Sequence, residues 1–265
     1  MSSGPRPVAA IPAVLLVVVA LWEIAATRCS ATSVPGDDAW AGAAAEVRAG
    51  FQPGDLIVFA PDWVDPVGRM HLGDLIPIDV AARMDAAKFG RIWEVSIRGA
   101  HAFETFGLDP VEAASHDGVT VRRYERAAAI VLADVRDRLA GILTTGGGRG
   151  PSLELAEVGF APHRCIQIVP NAGHPARITF PQLPLGSELV GYVGLADVFT
   201  RRDIRVPGTL AVEIGGTTVT QVSAGVDDGW VRFAVPTTPG PADVTFVASS
   251  DGQGRQLCFA AEARE

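Results

Sequence analysis

Positive charge is scarce in this sequence and almost all of one kind. There are 22 basic residues against 30 acidic ones, and Lys88 is the only lysine. The formal net charge is -8 and the pI is about 5.1. With no run of Lys or Arg, the chain offers no basic surface to neutralise a phosphate backbone, and no nucleic-acid partner is expected. Catalytic spacings are missing too. No HExxH, DxDxDG or GxSxG sets ligands or a nucleophile in register. The glycine-rich "TTGGGRGPS", Thr144 to Ser152, lacks the terminal Lys and Ser/Thr of a phosphate loop. It is expected to be a flexible linker or wide turn. No cofactor and no resident metal is expected.

What is present begins with "RPVAAIPAVLLVVVALWEIAAT". From Pro7 to Thr27 only Glu23 is charged. A helix rising about 1.5 Å per residue would there span roughly the 30 Å hydrocarbon layer of a bilayer. Arg6 and the amino terminus precede it, the arrangement that keeps the N-terminus cytoplasmic and sends the rest across. A retained anchor is the expectation and a cleaved signal segment the alternative, since "CSA" ends at Ala31. Arg28 before Cys29 stands where lipidation wants a small residue. The chain is therefore expected to be anchored in a membrane, facing the periplasm or the cell exterior.

In that oxidising compartment Cys165 and Cys258 can pair. Strand alternation puts Ile166 and Ile168 opposite to Cys165, and Leu257 and Phe259 opposite to Cys258, so both thiols lie on the outer faces of their strands. Two unpaired, half-buried thiols are the alternative.

Hydrophobic residues make up 48% and charged residues 20%, enough apolar content for two modest domains. The first, residues 29–145, reads as a small α/β layer. A helix over "AWAGAAAEVRAGF" is capped by Asp37 or Asp38 and stopped at Gly50. The strand Leu56 to Ala60 follows. A second helix is expected over "GDLIPIDVAARMDAAKFG", with Asp74 near its start and Gly90 at its stop, followed by strands "RIWEVSI" and "GVTVRRY". "AAAIVLADVRDRLAGIL" fits a helix, although its start would suit a buried strand. From 146 to 265 the rhythm becomes eight short alternating segments, from "RCIQIV" to "QLCFAAEA". These are an antiparallel β-sandwich. The fold class is α+β with two domains: the α/β layer, then a jelly-roll-like sandwich, preceded by the transmembrane helix at 1–28.

With "PGDLIVFAPDW" after its helix and "VTVRRYER" near its end, the segment from Trp40 to about Tyr124 resembles the extracytoplasmic α/β domain of membrane-embedded, lipid-linked-sugar glycosyltransferases. Those enzymes do their chemistry among many membrane helices, so the resemblance implies the domain without the catalytic apparatus. "GYVGLADVFTRRD" and "DDGWVRFAV" are similar to jelly-roll carbohydrate-binding modules, which implies a glycan ligand.

Two sets of residues are candidates for function. Asp62, Asp65, His71 and Asp74 follow the first strand, where ligands of open α/β sheets collect, and could hold a cation or divide acid and base roles. His101 and His116 flank a loop long enough to act as a lid. In the sandwich, a glycan wants aromatic faces beside polar groups. Trp230 with Asp227 and Asp228, then Tyr192, supply both, and Arg201 and Arg202 could grip an anionic sugar. The expected function is a non-catalytic accessory that binds a glycan or an envelope protein. A hydrolase or metal-dependent enzyme using the Asp62 loop is the first alternative, and a scaffold for another membrane protein the second.

Overall fold

The computed structural model describes residues 11–32, 34–196 and 206–265. Helix α1, Ile11–Thr32, is predominantly apolar, with Glu23 and Arg28 its charged residues, and its stretch Pro12–Cys29 has a mean hydropathy of 1.7 with no residue buried. By length and composition it can cross a bilayer. The chain forms two compact units. One takes in Met1–Pro53, Ile57–Gly73 and Ile92–Tyr124; the other Gly54–Leu56, Asp74–Arg91 and Glu125–Glu265.

The first unit is built on α2, Asp37–Gly50, whose Trp40, Ala43, Ala44 and Val47 recur at helical spacing and are buried. Its cap position is Gly36, with no side-chain cap bond. Asp37 and Asp38 occupy the first turn instead, where negative charge suits the helix dipole. A four-stranded sheet has the order β1-β2-β4-β3, with β1 Leu56–Ala60, β2 Arg91–Ile97, β3 Glu112–His116 and β4 Val119–Glu125. β3 and β4 form a hairpin through Asp117 and Gly118, both at positive φ (43° and 93°), which is the conformation a two-residue turn needs. Between β1 and β2 lies α3, Asp65–Leu72. Gly68 lets it approach β1, since a Cβ there would stand 2.0 Å from the Phe59 ring.

The expected second helix does not form. Its place is taken by a 3-10 turn at Gly73–Leu75 and the four-residue α4, Ile78–Ala81, with Pro77 as N-cap. From Ala82 the carbonyls accept from outside the segment: Arg164 N donates to Ala82 O (2.9 Å), Trp230 Nε1 to Met84 O (3.1 Å) and Arg126 Nε to Phe89 O (3.1 Å). A helix would need those acceptors for itself, and tertiary bonds outcompete its modest propensity. Residues 74–91 are thus a strap belonging to the second unit.

That unit is the sandwich. Strands β8 Ala161–Pro170, β9 Ala176–Leu185, β10 Glu188–Leu195, β11 Gly208–Ile214, β12 Thr217–Ala224, β13 Val231–Pro236, β14 Gly240–Ser249 and β15 Leu257–Arg264 coincide with the eight expected segments. One sheet runs β13-β10-β15-β8 and the facing one β12-β11-β14-β9. The chain crosses between sheets at almost every connection, which is the double Greek key of a jelly roll. Inward residues alternate along each strand, and Phe246 meets Phe180 edge-on (5.7 Å) and Phe259 (4.9 Å) at the centre of the core.

The glycine-rich stretch is not a linker. β6, Leu143–Gly146, extends the second sheet beside β9, and β7, Gly148–Val158, extends the first beside β8. Its glycines permit close strand contact: a Cβ on Gly146 would lie 2.1 Å from Pro175 O, and one on Gly148 2.4 Å from Val169 O. Upstream, "VLAD" is the strand β5, Val131–Asp134, not helix, and only Val135–Gly141 turns as 3-10. β5 pairs with β15 at Glu262 to Arg264, beyond the end of its pairing with β8. The expected change of domain at 145–146 therefore falls inside the second unit.

Candidate functional site

The four residues after β1 do not converge. Asp65 is bound by Arg69 Nε (2.5 Å), one turn along α3. His71 lies 3.2 Å from Asp37 and stacks on Trp40 (6.3 Å) at the start of α2. Asp62 opens a 3-10 turn after Pro61, and Asp74 belongs to the second unit. Among the described residues no group of three or more His, Cys, Asp or Glu could hold a metal ion.

Sequence reasoning missed the polar centre of the first unit. Glu94 is fully buried in β2, on the sheet face opposite to Trp93. Its Oε1 accepts from Arg122 (2.9 Å) and from the Tyr124 hydroxyl (3.4 Å), and lies 3.3 Å from His101. Its Oε2 accepts from Ala102 N (2.8 Å) and from the Thr105 hydroxyl. Burial, reinforced by the Glu94 charge, raises the Tyr124 phenol above its ordinary value and keeps it neutral. Such a carboxylate is fully employed in holding the loop 98–111 onto the sheet. His101 is half exposed at the margin of this cluster, whereas His116 lies beside Glu46 (3.9 Å). The only signal in sequence was an acidic residue at an otherwise apolar strand position.

In the sandwich the aromatic candidates are already partnered. Trp230 stacks on His163 (4.4 Å) and on Tyr192 (5.8 Å), and its indole N–H donates to the strap at Met84. Burial, and to a lesser degree the charges of Arg83 and Arg136, lower His163 to about 4, although its Nδ1 bond to Arg83 O (3.2 Å) opposes the shift. His163 is neutral at physiological pH. Beside the stack runs a charge network that sequence did not reveal: Asp134, Arg136, Glu262, Arg264 and Asp85. Burial disfavours both guanidinium charges, but the carboxylates outweigh it and raise Arg136 and Arg264 above their ordinary values. The strap is thus tied to the outer face of the first sheet by paired charges and stacked rings.

Beneath it, Cys165 and Cys258 are disulfide-bonded, with Cα atoms 5.5 Å apart. Both lie on the outer face of their strands, yet both are wholly buried, covered by Val158 and Trp230. Cys29 is exposed and takes no part in this disulfide.

Asp227 and Asp228 are in the turn between β12 and β13, where Asp228 accepts from Gly225 N (2.7 Å). Arg201 and Arg202 lie outside the described residues, but the strand ends that flank them are placed. Leu195 pairs with Leu257, Gly208 pairs with Ala224, and Gly208 packs against both Leu195 and Leu257. The end of β10, the start of β11 and the end of β12 are therefore neighbours at one end of the sandwich.

No protein-family model matches the chain, and no curated protein matches it. Solved structures do. CBM51-2 with the INT domains of Clostridium perfringens ZmpB is 12% identical over 55% of this chain and 34% of that one, with a TM-score of 0.38. The chain therefore spans about a third of that structure's length. The C-terminal CBM6 of LamC, a laminarinase from Zobellia galactanivorans, is 14% identical over 46% of this chain and 99% of its own, with a TM-score of 0.30. CBM6cm-2 of Cellvibrio mixtus lichenase 5A, in complex with cellotriose, is 15% identical over 51% and 98%, with a TM-score of 0.30. These neighbours are carbohydrate-binding β-sandwiches, and the jelly-roll assignment for this chain rests on its own strand order and register.

Proposed function

We propose that this is a membrane-anchored, outward-facing envelope protein whose jelly roll is a non-catalytic module that binds a glycan. Two features support the compartment: an apolar helix of 22 residues and a disulfide, which persists only where thiols are not kept reduced. The resemblance of residues 40–124 to a domain of lipid-linked-sugar glycosyltransferases belongs to the same reading, since such domains work in that compartment.

One observation carries the binding role: the neighbouring ends of β10, β11 and β12. From this place arise both the connection bearing Arg201 and Arg202 and the turn bearing Asp227 and Asp228. Forked guanidinium donors and carboxylate acceptors are the groups that suit the paired hydroxyls and acid groups of a sugar. Trp230 and Tyr192, being stacked against His163 and the strap, support that end of the sandwich and are not its sugar platform.

The test is thermal unfolding of the full chain in detergent against a panel of envelope glycans. A ligand at a hundred times its dissociation constant adds about 2.7 kcal/mol. A stabilisation by one glycan that disappears in Asp227→Ala and in the double variant Arg201→Ala, Arg202→Ala is the expected result. No response to any glycan, or a response unchanged by these variants, would refute the proposal.

A further inference from the structure

Burial should turn aromatic rings inward, yet beyond α1, with its exposed Trp22, the first unit leaves three of them outside. Phe103 is 91% exposed, Phe106 84% and Trp63 62%. Single exposed apolar residues are ordinary; a contiguous set marks a contact surface. Arg98, the first residue after β2, lies over the Trp63 ring at 5.9 Å, so the loop 98–111 and the start of α3 are side by side. Along α3, Val67 and Met70 follow Trp63 at the i+4 and i+7 positions of a helix face, and both are exposed, Met70 at 81%.

The loop is not loose. Glu94 accepts from Ala102 N and from Thr105, the residues on either side of the Phe103 turn, while Phe106 N donates to Phe103 O (3.3 Å). A buried carboxylate thus fixes a loop whose phenyl rings point away from the protein. The rings are preorganised for an apolar contact outside it.

The chain itself identifies that contact. Only residues 33–36 separate α1 from α2, and fully extended they reach roughly 15 Å. Pro35 sits against Gly118, at the turn between β3 and β4. In that hairpin Val119 opens β4, and Arg126 N at its other end bonds to Gly90 O before β2. The β3–β4 turn is therefore at the same edge of the sheet as Arg98, which follows the end of β2. The apolar helix accordingly joins the unit at the edge where Trp63 stands and where the loop bearing Phe103 and Phe106 begins.

We propose that this edge docks on the bilayer surface, with Phe103, Phe106 and Trp63 inserted at headgroup level as an aromatic belt and Arg98 beside them reaching the polar layer. The proposal rests on α1 being a membrane anchor. Acidic side chains such as Asp37, Asp62 and Asp65 stand near this edge with Arg69 and Arg98, so the contact is apolar and selects no anionic lipid.

The experiment uses the full chain with Cys29→Ser in phosphatidylcholine nanodiscs. A nitroxide is attached singly to Phe103→Cys, Phe106→Cys or, two residues beyond the far end of α2, Gln52→Cys. Co-elution with the discs reports the anchor, and collision rates with oxygen and a nickel chelate report depth. Oxygen collisions exceeding nickel collisions at 103 and 106, with the reverse at 52, is the expected result. Nickel-accessible labels at 103 and 106 in a chain that co-elutes would overturn the docking alone. Dipolar broadening between labels on two chains would assign the surface to a second copy instead. A chain that fails to co-elute overturns the anchor and the docking with it.

Discussion

Acidification should loosen the sandwich through a single histidine. His163 is buried against Trp230 and lowered to about 4, while in the unfolded chain it titrates near 6.5. Between those values the unfolded chain takes up a proton that the folded one refuses. Stability is therefore fully present above pH 6.5 and is lost as the pH falls toward 4. At 1.36 kcal/mol per unit, the loss between pH 7.5 and 4.5 is about 2.5 kcal/mol. Carboxylates titrate in the same range, so the measurement must be a difference. His163→Phe keeps a ring on Trp230 and removes the titration. It also leaves Arg83 O without its partner, a cost of about 1 kcal/mol that does not vary with pH. Urea unfolding of the full chain in detergent at pH 7.5 and 4.5, for both proteins, gives the difference of differences. The wild type should lose about 2.5 kcal/mol more than the variant. Equal losses would mean that His163 is solvated or protonated in the folded state and is not buried between Trp230 and the strap.

Reducing the Cys165–Cys258 bridge, which closes a loop of 93 residues, should cost about 4 to 5 kcal/mol in the chain-entropy model, read as a drop in denaturation midpoint with reductant that Cys165→Ser, Cys258→Ser abolishes. Glu94→Ala leaves Arg122 without its carboxylate and frees the loop at Ala102 and Thr105. It should destabilise the first unit by about 3 kcal/mol and raise hydrogen exchange over residues 98–111 while leaving the sandwich protected.

The eight strands of the sandwich were legible because period-two alternation is a local property. Leu210, Val212 and Ile214 announce their shared face without any knowledge of neighbours. The cysteines were legible for the same reason, down to the face they occupy, though not their burial. The residues after β1 show the limit. Asp62, Asp65, His71 and Asp74 are close in sequence, but α3 turns Asp65 toward Arg69 and His71 toward Asp37, and the chain carries Asp74 into the other unit. Trp230 looked like a sugar platform because its stacking partners are 38 and 67 residues away, at Tyr192 and His163.

By itself the sequence determined the apolar N-terminal helix, the places of the eight sandwich strands along the chain, and the acidic net charge, since each follows from composition or from spacing within ten or twenty residues. Tertiary structure alone decided the rest. Residues 74–91 have the spacing of a helix and become a strap because Arg164, Trp230 and Arg126 claim their carbonyls. "TTGGGRGPS" has the composition of a linker and becomes two strand ends because its glycines fit against the backbones of β8 and β9. Glu94 became the centre of the first unit only when Arg122, Tyr124 and the loop were brought to it. A hydrogen-bond partner distant along the chain leaves no trace in local pattern, and it is such partners that settle what a polar residue or a breakable helix does.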